Sequence, residues 1–146
     1  MESADLVFAL LNLSVLPWWG IWLVAPRSAL ARLFAGHAAV FIGLGVVYTS
    51  LLAAALVTEP LQGFGFESVR ATLGSPLGFL TGWTHFLALD LFCGAWIVRE
   101  SNRLSLEPRL FLFFAMMLAP IGLAGFLLRR ALYLRSLGQL GEVDLA

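Results

Sequence analysis

The chain has 146 residues and no net charge; 60% of its residues are hydrophobic, 12% are charged, and its basic residues are all arginine. A soluble domain has about 25% charged residues and, at this length, could not bury so much apolar surface. We therefore predict one integral membrane domain over residues 1–146. The neutral charge gives no sign of a nucleic-acid partner, and the single cysteine, Cys93, excludes an internal disulfide.

Four apolar runs are long enough to cross a bilayer, which takes a helix of about 20 residues. They cover residues 6–24, 37–57, 77–98 and 109–128. Backbone amides in lipid must bond within a helix or a closed barrel, and the strands of a barrel would alternate polar and apolar residues. Because these runs are apolar on every face, we predict an all-α fold, a four-helix transmembrane bundle.

Proline and tryptophan mark features within these helices. Pro17 and Pro120 each remove a backbone hydrogen bond, which predicts a kink in the first and fourth helices. The first run follows Glu2 and Asp5 instead of the positive charge of a signal peptide, so we expect it to be retained. Three tryptophans near the end of the first helix are typical of the aromatic belt at a membrane surface: Trp18, Trp19 and Trp22.

The connections between helices bear on how the chain is oriented. The longest, from Glu59 to Pro76, is expected to be a loop with a short interfacial helix at residues 67–73, and the tail after Arg135 is expected to fray. Four crossings place both termini on one side of the membrane. Under the positive-inside rule the arginines that follow the first helix weigh most and favour the cytoplasm, so we expect the termini outside the cytoplasm. The arginines are then almost evenly divided: Arg27, Arg32, Arg99, Arg103 and Arg109 on one side, and Arg70, Arg129, Arg130 and Arg135 on the other.

An ionisable side chain inside a membrane is costly and marks a functional candidate. Asp90 is the only acid well inside a predicted helix, and His85 precedes it by five residues, which places the two side chains about 140° apart around the helix. Each must therefore find its partner on another helix. From their depth in the bilayer, we expect Tyr48 or Thr49 near Asp90 and Asn12 near His85.

Simpler interpretations of these residues stay open. Asp90 could be a neutral acid that joins helices by hydrogen bonds, and His85 a neutral imidazole satisfied across an interface. His37 is expected at a membrane surface. It differs from His85 in depth by about 20 Å, so the two cannot hold a haem together. The sequence shows no metal site, phosphate-binding loop or nucleophile motif, and we predict no cofactor.

Small and aromatic residues form a further pattern. Glycines in the second, third and fourth predicted helices allow close helix packing: Gly43, Gly45, Gly94, Gly122 and Gly125. Phenylalanines in the third and fourth could line a groove for a long apolar molecule or serve ordinary packing: Phe86, Phe92, Phe111, Phe113, Phe114 and Phe126.

The third helix carries a motif that resembles the signature of the abscisic acid-deficient-four family. Residues 82–97 follow the family pattern of a tryptophan, then His-aromatic-Leu-Ala-x-Asp-Leu-Phe, then Gly-x-Trp. A second stretch, Ala119 to Leu123, resembles the family's Gly-Pro-x-Gly-Leu with alanine in place of the first glycine. Weaker agreement in the first helix and the second loop extends the resemblance along almost the whole chain. The chain departs from the family at Ala95, where arginine is frequent.

The resemblance implies a role in carotenoid metabolism, since plants use a member of this family in making neoxanthin. Neoxanthin forms when a 5,6-epoxide opens and an allene appears, an isomerisation that needs an acid and a base but no oxidant. His85 and Asp90 are the candidate catalytic residues. We expect the ligand to contact a further set of side chains: Trp83, Phe86, Trp96, Tyr48 and Asn12.

Three functions compete on this basis. The first is a carotenoid isomerase, or a subunit of one, acting on a carotenoid or another long isoprenoid. The second is a non-enzymatic protein that binds pigment or scaffolds a membrane partner, in which the same residues only join helices. A small transporter fits less well, because the first helix has no acid within its apolar run. The composition is typical of bacteria, so we expect a multi-pass protein of a bacterial inner membrane, surrounded by lipid and acting as a homo-oligomer or with a partner enzyme.

Overall fold

The computed structural model describes residues 2–58 and 63–135. Within them the chain is entirely helical, which confirms the all-α prediction. The predicted tail after Arg135 and the start of the predicted loop at Glu59 lie outside the described residues. The helices are α1 (Glu2–Val24), α2 (Ala29–Gly36), α3 (Ala39–Thr58), α4 (Phe66–Gly74), α5 (Pro76–Arg103), α6 (Arg109–Met117) and α7 (Ala119–Leu134).

Short polar side chains set the starts of two helices. The hydroxyl of Ser28 accepts a hydrogen bond from the backbone N–H of Ala31 at 3.0 Å and so caps α2, a helix that the sequence analysis missed. Ser75 caps α5 in the same way, accepting from the N–H of Gly78 at 3.1 Å. Pro76 occupies the first turn of α5, where its missing N–H costs no hydrogen bond.

Other elements lie close to where they were predicted. α4 confirms the short helix expected at residues 67–73, and α1 continues through Pro17. By length and apolar composition, the segments Ser3–Val24 and Ala29–Thr58 could each cross a membrane. α5 is less apolar because it carries His85, Asp90 and a charged last turn.

α5 is the centre of the fold, since every other described helix packs against it. The indole N–H of Trp83 in α5 donates to Asn12 of α1 at 3.3 Å, and the amide of Asn102 donates to the carbonyl of Pro26 just after α1 at 2.9 Å. α1 and α5 therefore run in the same direction. α3 runs in the opposite direction, because Tyr48 lies beside His85 whereas Phe41 lies beside Phe92.

The predicted fourth helix, residues 109–128, is wrong as a single helix. It breaks at Leu118, and α7 folds back along α6. The rings of Phe111 and Phe126 lie 5.6 Å apart, although 15 residues of straight helix would separate them by about 22 Å. The start of α6 and the end of α7 both lie at the end of the bundle where α1 and α5 finish. Arg109 at the start of α6 donates to the carbonyl of Leu23, and Arg130 near the end of α7 is paired with Glu100.

Proline and glycine account for this reversal. The ring of Pro120 has no N–H to continue α6, and it suits the first turn of a new helix instead, so the predicted kink is a full break. Gly122 then lets the two backbones touch. A Cβ at this position would lie 2.5 Å from the carbonyl oxygen of Phe111 and 2.6 Å from the Cα of Ala115. No side chain fits there unless α6 or α7 moves.

Gly122→Ala should destabilise the α6–α7 pair, because the new methyl group meets backbone atoms that cannot rotate away. Overpacking of this kind costs about 1–3 kcal/mol, which would appear as a lower melting temperature in detergent. Gly45→Ala is the matched control, since a Cβ at Gly45 meets no atom within 4 Å. Equal melting temperatures for the two variants would contradict the close contact.

Candidate functional site

The motif residues of α5 lie on two different sides of the helix. Trp83, Asp90 and Gly94 are seven and four residues apart, so they share one face. That face is turned toward α1, because Trp83 bonds to α1 and a Cβ at Gly94 would lie 2.6 Å from the ring of Trp19. His85 lies on the side that faces α3. The structure thus separates the two candidate catalytic residues.

Asn12 is held by two hydrogen bonds within an aromatic cluster. Its amide nitrogen donates to the carbonyl of Phe8 at 2.7 Å, and its carbonyl oxygen accepts from the indole of Trp83. The rings of Phe8 and Phe79 lie 5.1 Å and 5.9 Å from that of Trp83. The expectation that Asn12 lies beside His85 is wrong, because parallel packing of α1 on α5 brings Asn12 to the opposite side of α5.

His85 has an aromatic neighbour instead. The ring of Tyr48 lies 5.8 Å from the imidazole at an angle of 45°, and the ring of Phe86 lies 6.3 Å away. The expectation that Tyr48 lies against Asp90 is therefore wrong. Thr49 does not reach Asp90 either, since its hydroxyl donates within α3 to the carbonyl of Gly45 at 2.8 Å. His85 itself is exposed at the outer surface of the bundle.

Asp90 is half-buried on the α1 side of α5. Among residues 2–58 and 63–135, Asp90 forms no hydrogen bond and no ion pair. The described residues therefore give no support to the interpretation that Asp90 joins helices by hydrogen bonds. A carboxyl group without a partner in an apolar setting is energetically costly. This residue consequently remains a candidate for proton transfer.

Trp96 lies far from the other predicted ligand contacts. Its ring packs edge-on against Phe126 of α7 at 5.6 Å, whereas Trp83 packs against α1. The two tryptophans are 13 residues apart on one helix, a distance of about 20 Å along its axis. The predicted site residues therefore form two small groups, Asn12 with Trp83 and Tyr48 with His85 and Phe86, while Asp90 and Trp96 stand apart.

An apolar groove of about 470 Å³ opens between α1 and α3. The phenylalanines of the third and fourth predicted helices, which could have lined a groove or served ordinary packing, do not line it. The residues that line the groove are almost all apolar, like most residues of the predicted membrane helices, so the sequence alone does not distinguish them from side chains that face lipid. They are Val7, Leu10, Leu11, Ser14, Trp18, Val40, Gly43, Leu44 and Val47. Over residues 7–18 of α1 the groove is about 16 Å long.

A buried ion cluster joins α5 to α7 at the far end of the bundle. Glu100 accepts from Arg103 at 2.7 Å and from Arg130 at 2.6 Å, and Arg130 is only 3% exposed. The hydrogen bond from Arg103, and then the one from Arg130, hold the pKa of the Glu100 carboxyl below its usual range, although burial acts in the opposite direction. A straight fourth helix would carry Arg130 to the opposite membrane surface, so this cluster was not predicted from the sequence.

Comparison with known proteins identifies relatives of the chain. The model of a family described as ABA DEFICIENT 4-like matches residues 6–126. Protein ABA DEFICIENT 4, chloroplastic, from Arabidopsis thaliana is 24% identical over 140 residues. That alignment covers 90% of this chain but 63% of the plant protein. No solved structure matches the chain.

Loss of the Glu100 carboxylate should destabilise the fold, since it breaks the buried ion pair of Glu100 with Arg130. Breaking a buried pair costs about 3–5 kcal/mol, so Glu100→Gln should lower the melting temperature strongly. Because its pKa is lowered on folding, Glu100 stabilises the native state fully above the ordinary carboxyl pKa of about 4.3 and loses this effect as the pH falls further.

The measurement is the melting temperature in detergent between pH 7 and pH 3. The difference between wild type and Glu100→Gln should shrink as the pH falls below about 4.3. Glu67→Gln is the control, because its pair with Arg70 is exposed on both sides and contributes little. A Glu100→Gln protein as stable as Glu67→Gln would show that the cluster does not hold α7.

Proposed function

The chain belongs to the ABA DEFICIENT 4-like family, and on that premise we propose that it is a membrane protein of carotenoid metabolism that binds a carotenoid or a similar long isoprenoid and isomerises it by acid–base chemistry. The family match over residues 6–126 carries this proposal, since it includes every residue predicted to act in the site. The relative from Arabidopsis thaliana is chloroplastic, as its name states, and residence in a bacterial inner membrane stays a prediction from composition.

A membrane environment is supported by the outward faces of the helices. Large apolar side chains project from α1, α3 and α5 where a soluble protein would carry charges, among them Leu13, Ile42, Val46, Leu89 and Phe92. We propose that α1, α3 and α5 cross the bilayer. The α6–α7 pair then enters and leaves on one side, which replaces the fourth crossing expected from the sequence.

The groove between α1 and α3 supports binding of a linear apolar ligand. Its lining is almost entirely apolar: the hydroxyl of Ser14 already donates to the carbonyl of Leu11 at 2.7 Å, and the indole N–H of Trp18 is buried with no hydrogen-bond partner among the described residues. A volume of about 470 Å³ lies within the range of ligand pockets and would take part of a polyene chain. The remainder of such a ligand would lie in lipid.

Asp90 is the stronger candidate for proton transfer. An isomerisation that opens an epoxide needs a proton donor and acceptor close to one end of the substrate. Asp90 and His85 face different helices, so they cannot both reach one end of the substrate. The carboxyl group of Asp90 would then donate its proton to the epoxide oxygen and, as the carboxylate, accept the proton released from the neighbouring carbon. Asp90 has no described partner to occupy its carboxyl group, whereas His85 lies beside the tilted ring of Tyr48, which suits a role in positioning.

A non-enzymatic pigment-binding protein is the second candidate. The observation that favours it is the scatter of the predicted residues: neither Asp90 nor His85 lines the groove. Both functions predict bound pigment, and only the first predicts a chemical product. A homo-oligomer or a partner enzyme is compatible with either function.

Expression in a bacterial host that makes 5,6-epoxy carotenoids separates the two functions. We expect organic extracts of the purified protein to contain a carotenoid, and extracts of the cells to contain an isomer of unchanged mass. Bound pigment with no new isomer would favour the binding protein. Extracts holding only bulk phospholipid, with no new isomer, would contradict both functions.

Asp90→Asn should retain the wild-type melting temperature and abolish the isomer in this assay, because the amide cannot take up or release a proton. Asp5→Asn is the control, since Asp5 is exposed near the start of α1. An Asp90→Asn protein that still forms the isomer would remove Asp90 from the chemistry.

A further inference from the structure

The arginines of this protein are gathered at one end of the bundle. Arg109 donates to carbonyls at the end of α1, and Arg99 donates to the carbonyl of Ala35 in α2 at 3.1 Å. Arg130 joins the end of α5 through Glu100. Eight of the nine arginines lie at this arginine end: Arg27, Arg32, Arg99, Arg103, Arg109, Arg129, Arg130 and Arg135.

The reversal between α6 and α7 produces this asymmetry. A straight fourth helix would carry Arg129, Arg130 and Arg135 to the opposite membrane surface and leave the two surfaces nearly equal in positive charge. Because α7 folds back, only Arg70 of α4 remains at the other end, where it pairs with Glu67 at 2.9 Å. That end also carries Asp5, so its described residues have no excess of positive charge.

We propose that the arginine end lies at the cytoplasmic surface of the membrane and binds the phosphates of anionic lipid headgroups. Cytoplasmic segments near membrane helices are rich in arginine, and the anionic lipids of that leaflet attract each such residue with about 1 kcal/mol. The N-terminus of α1 then lies outside the cytoplasm and the end of α7 inside it. The proposal differs in this from the expectation that both termini share one side.

The pairing of the arginines favours a phosphate partner over an internal role. Among the described residues, no carboxylate pairs with four exposed arginines: Arg32, Arg99, Arg129 and Arg135. Arg27 and Arg109 share the single carboxylate of Glu107. Guanidinium groups bind phosphate oxygens in a two-pronged geometry, which makes an anionic phospholipid a suitable partner.

The orientation is measured on the full chain in a bacterial host. A fluorescent protein that matures only in the cytoplasm is fused to the C-terminus, and Ser3→Cys in a Cys93→Ala background reports the N-terminus through a membrane-impermeant maleimide. We expect a fluorescent fusion and labelling of Cys at position 3 in intact spheroplasts. Termini on one side, or a reversed orientation, would overturn the proposal.

Lipid binding is measured on purified protein in detergent. Phosphatidylglycerol should raise the melting temperature more than phosphatidylcholine or inorganic phosphate does. The triple change Arg32→Gln, Arg129→Gln and Arg135→Gln should remove most of that difference, whereas Arg70→Gln should retain it. An equal rise with both lipids, or a full rise with inorganic phosphate alone, would overturn the lipid partner. Neither experiment depends on a carotenoid, so both can succeed where the proposed function fails.

Discussion

The contact of Gly122 with the backbone of α6 is the constraint on which the C-terminal half of the structure depends. It allows α7 to return along α6 at a distance that no side chain would permit. The return carries Phe126 to the ring of Trp96 and Arg130 to the carboxylate of Glu100. Without the contact, α7 could not lie this close to α6 after the break at Leu118, and the buried ion cluster would lose one of its members.

α5 holds the rest of the fold together through a similar use of glycine. Gly94 leaves room for the ring of Trp19, which itself packs edge-on against Trp22 at 5.5 Å. The two tryptophans of α5 contact other helices: Trp83 contacts α1 near one end of α5, and Trp96 contacts α7 nearer the other. Much of the family motif in this helix can therefore be explained by packing, and Asp90 is the motif residue whose presence packing explains least.

The sequence predicted the all-α class, the short helix α4 and the apolar runs of α1, α3 and α5, because each depends on local patterns. It could not predict the reversal at Leu118, since the apolar run is continuous there and a proline inside such a run usually indicates a kink. The contact that stabilises the reversal joins two backbones and leaves no trace in hydropathy. Because the reversal was not predicted, the arginines were expected to be divided almost evenly between the two membrane surfaces.

The candidate site was predicted less well. Helical spacing separated His85 from Asp90 correctly, because the angle between two residues of one helix follows from geometry alone. Their neighbours were predicted wrongly, since depth in a bilayer does not say which helix faces which side of α5. Asn12 consequently bonds to Trp83, and Tyr48 contacts His85.

A distance between the two halves of the predicted fourth helix tests the account most directly. Spin labels at Leu110 and Leu128, both exposed, in a Cys93→Ala background would report it in detergent and in lipid. A straight helix separates these positions by about 27 Å. Helices packed side by side have axes about 8–10 Å apart, so the fold-back predicts a much shorter distance. A single population near 27 Å in both media would contradict the reversal and, with it, the proposed membrane topology.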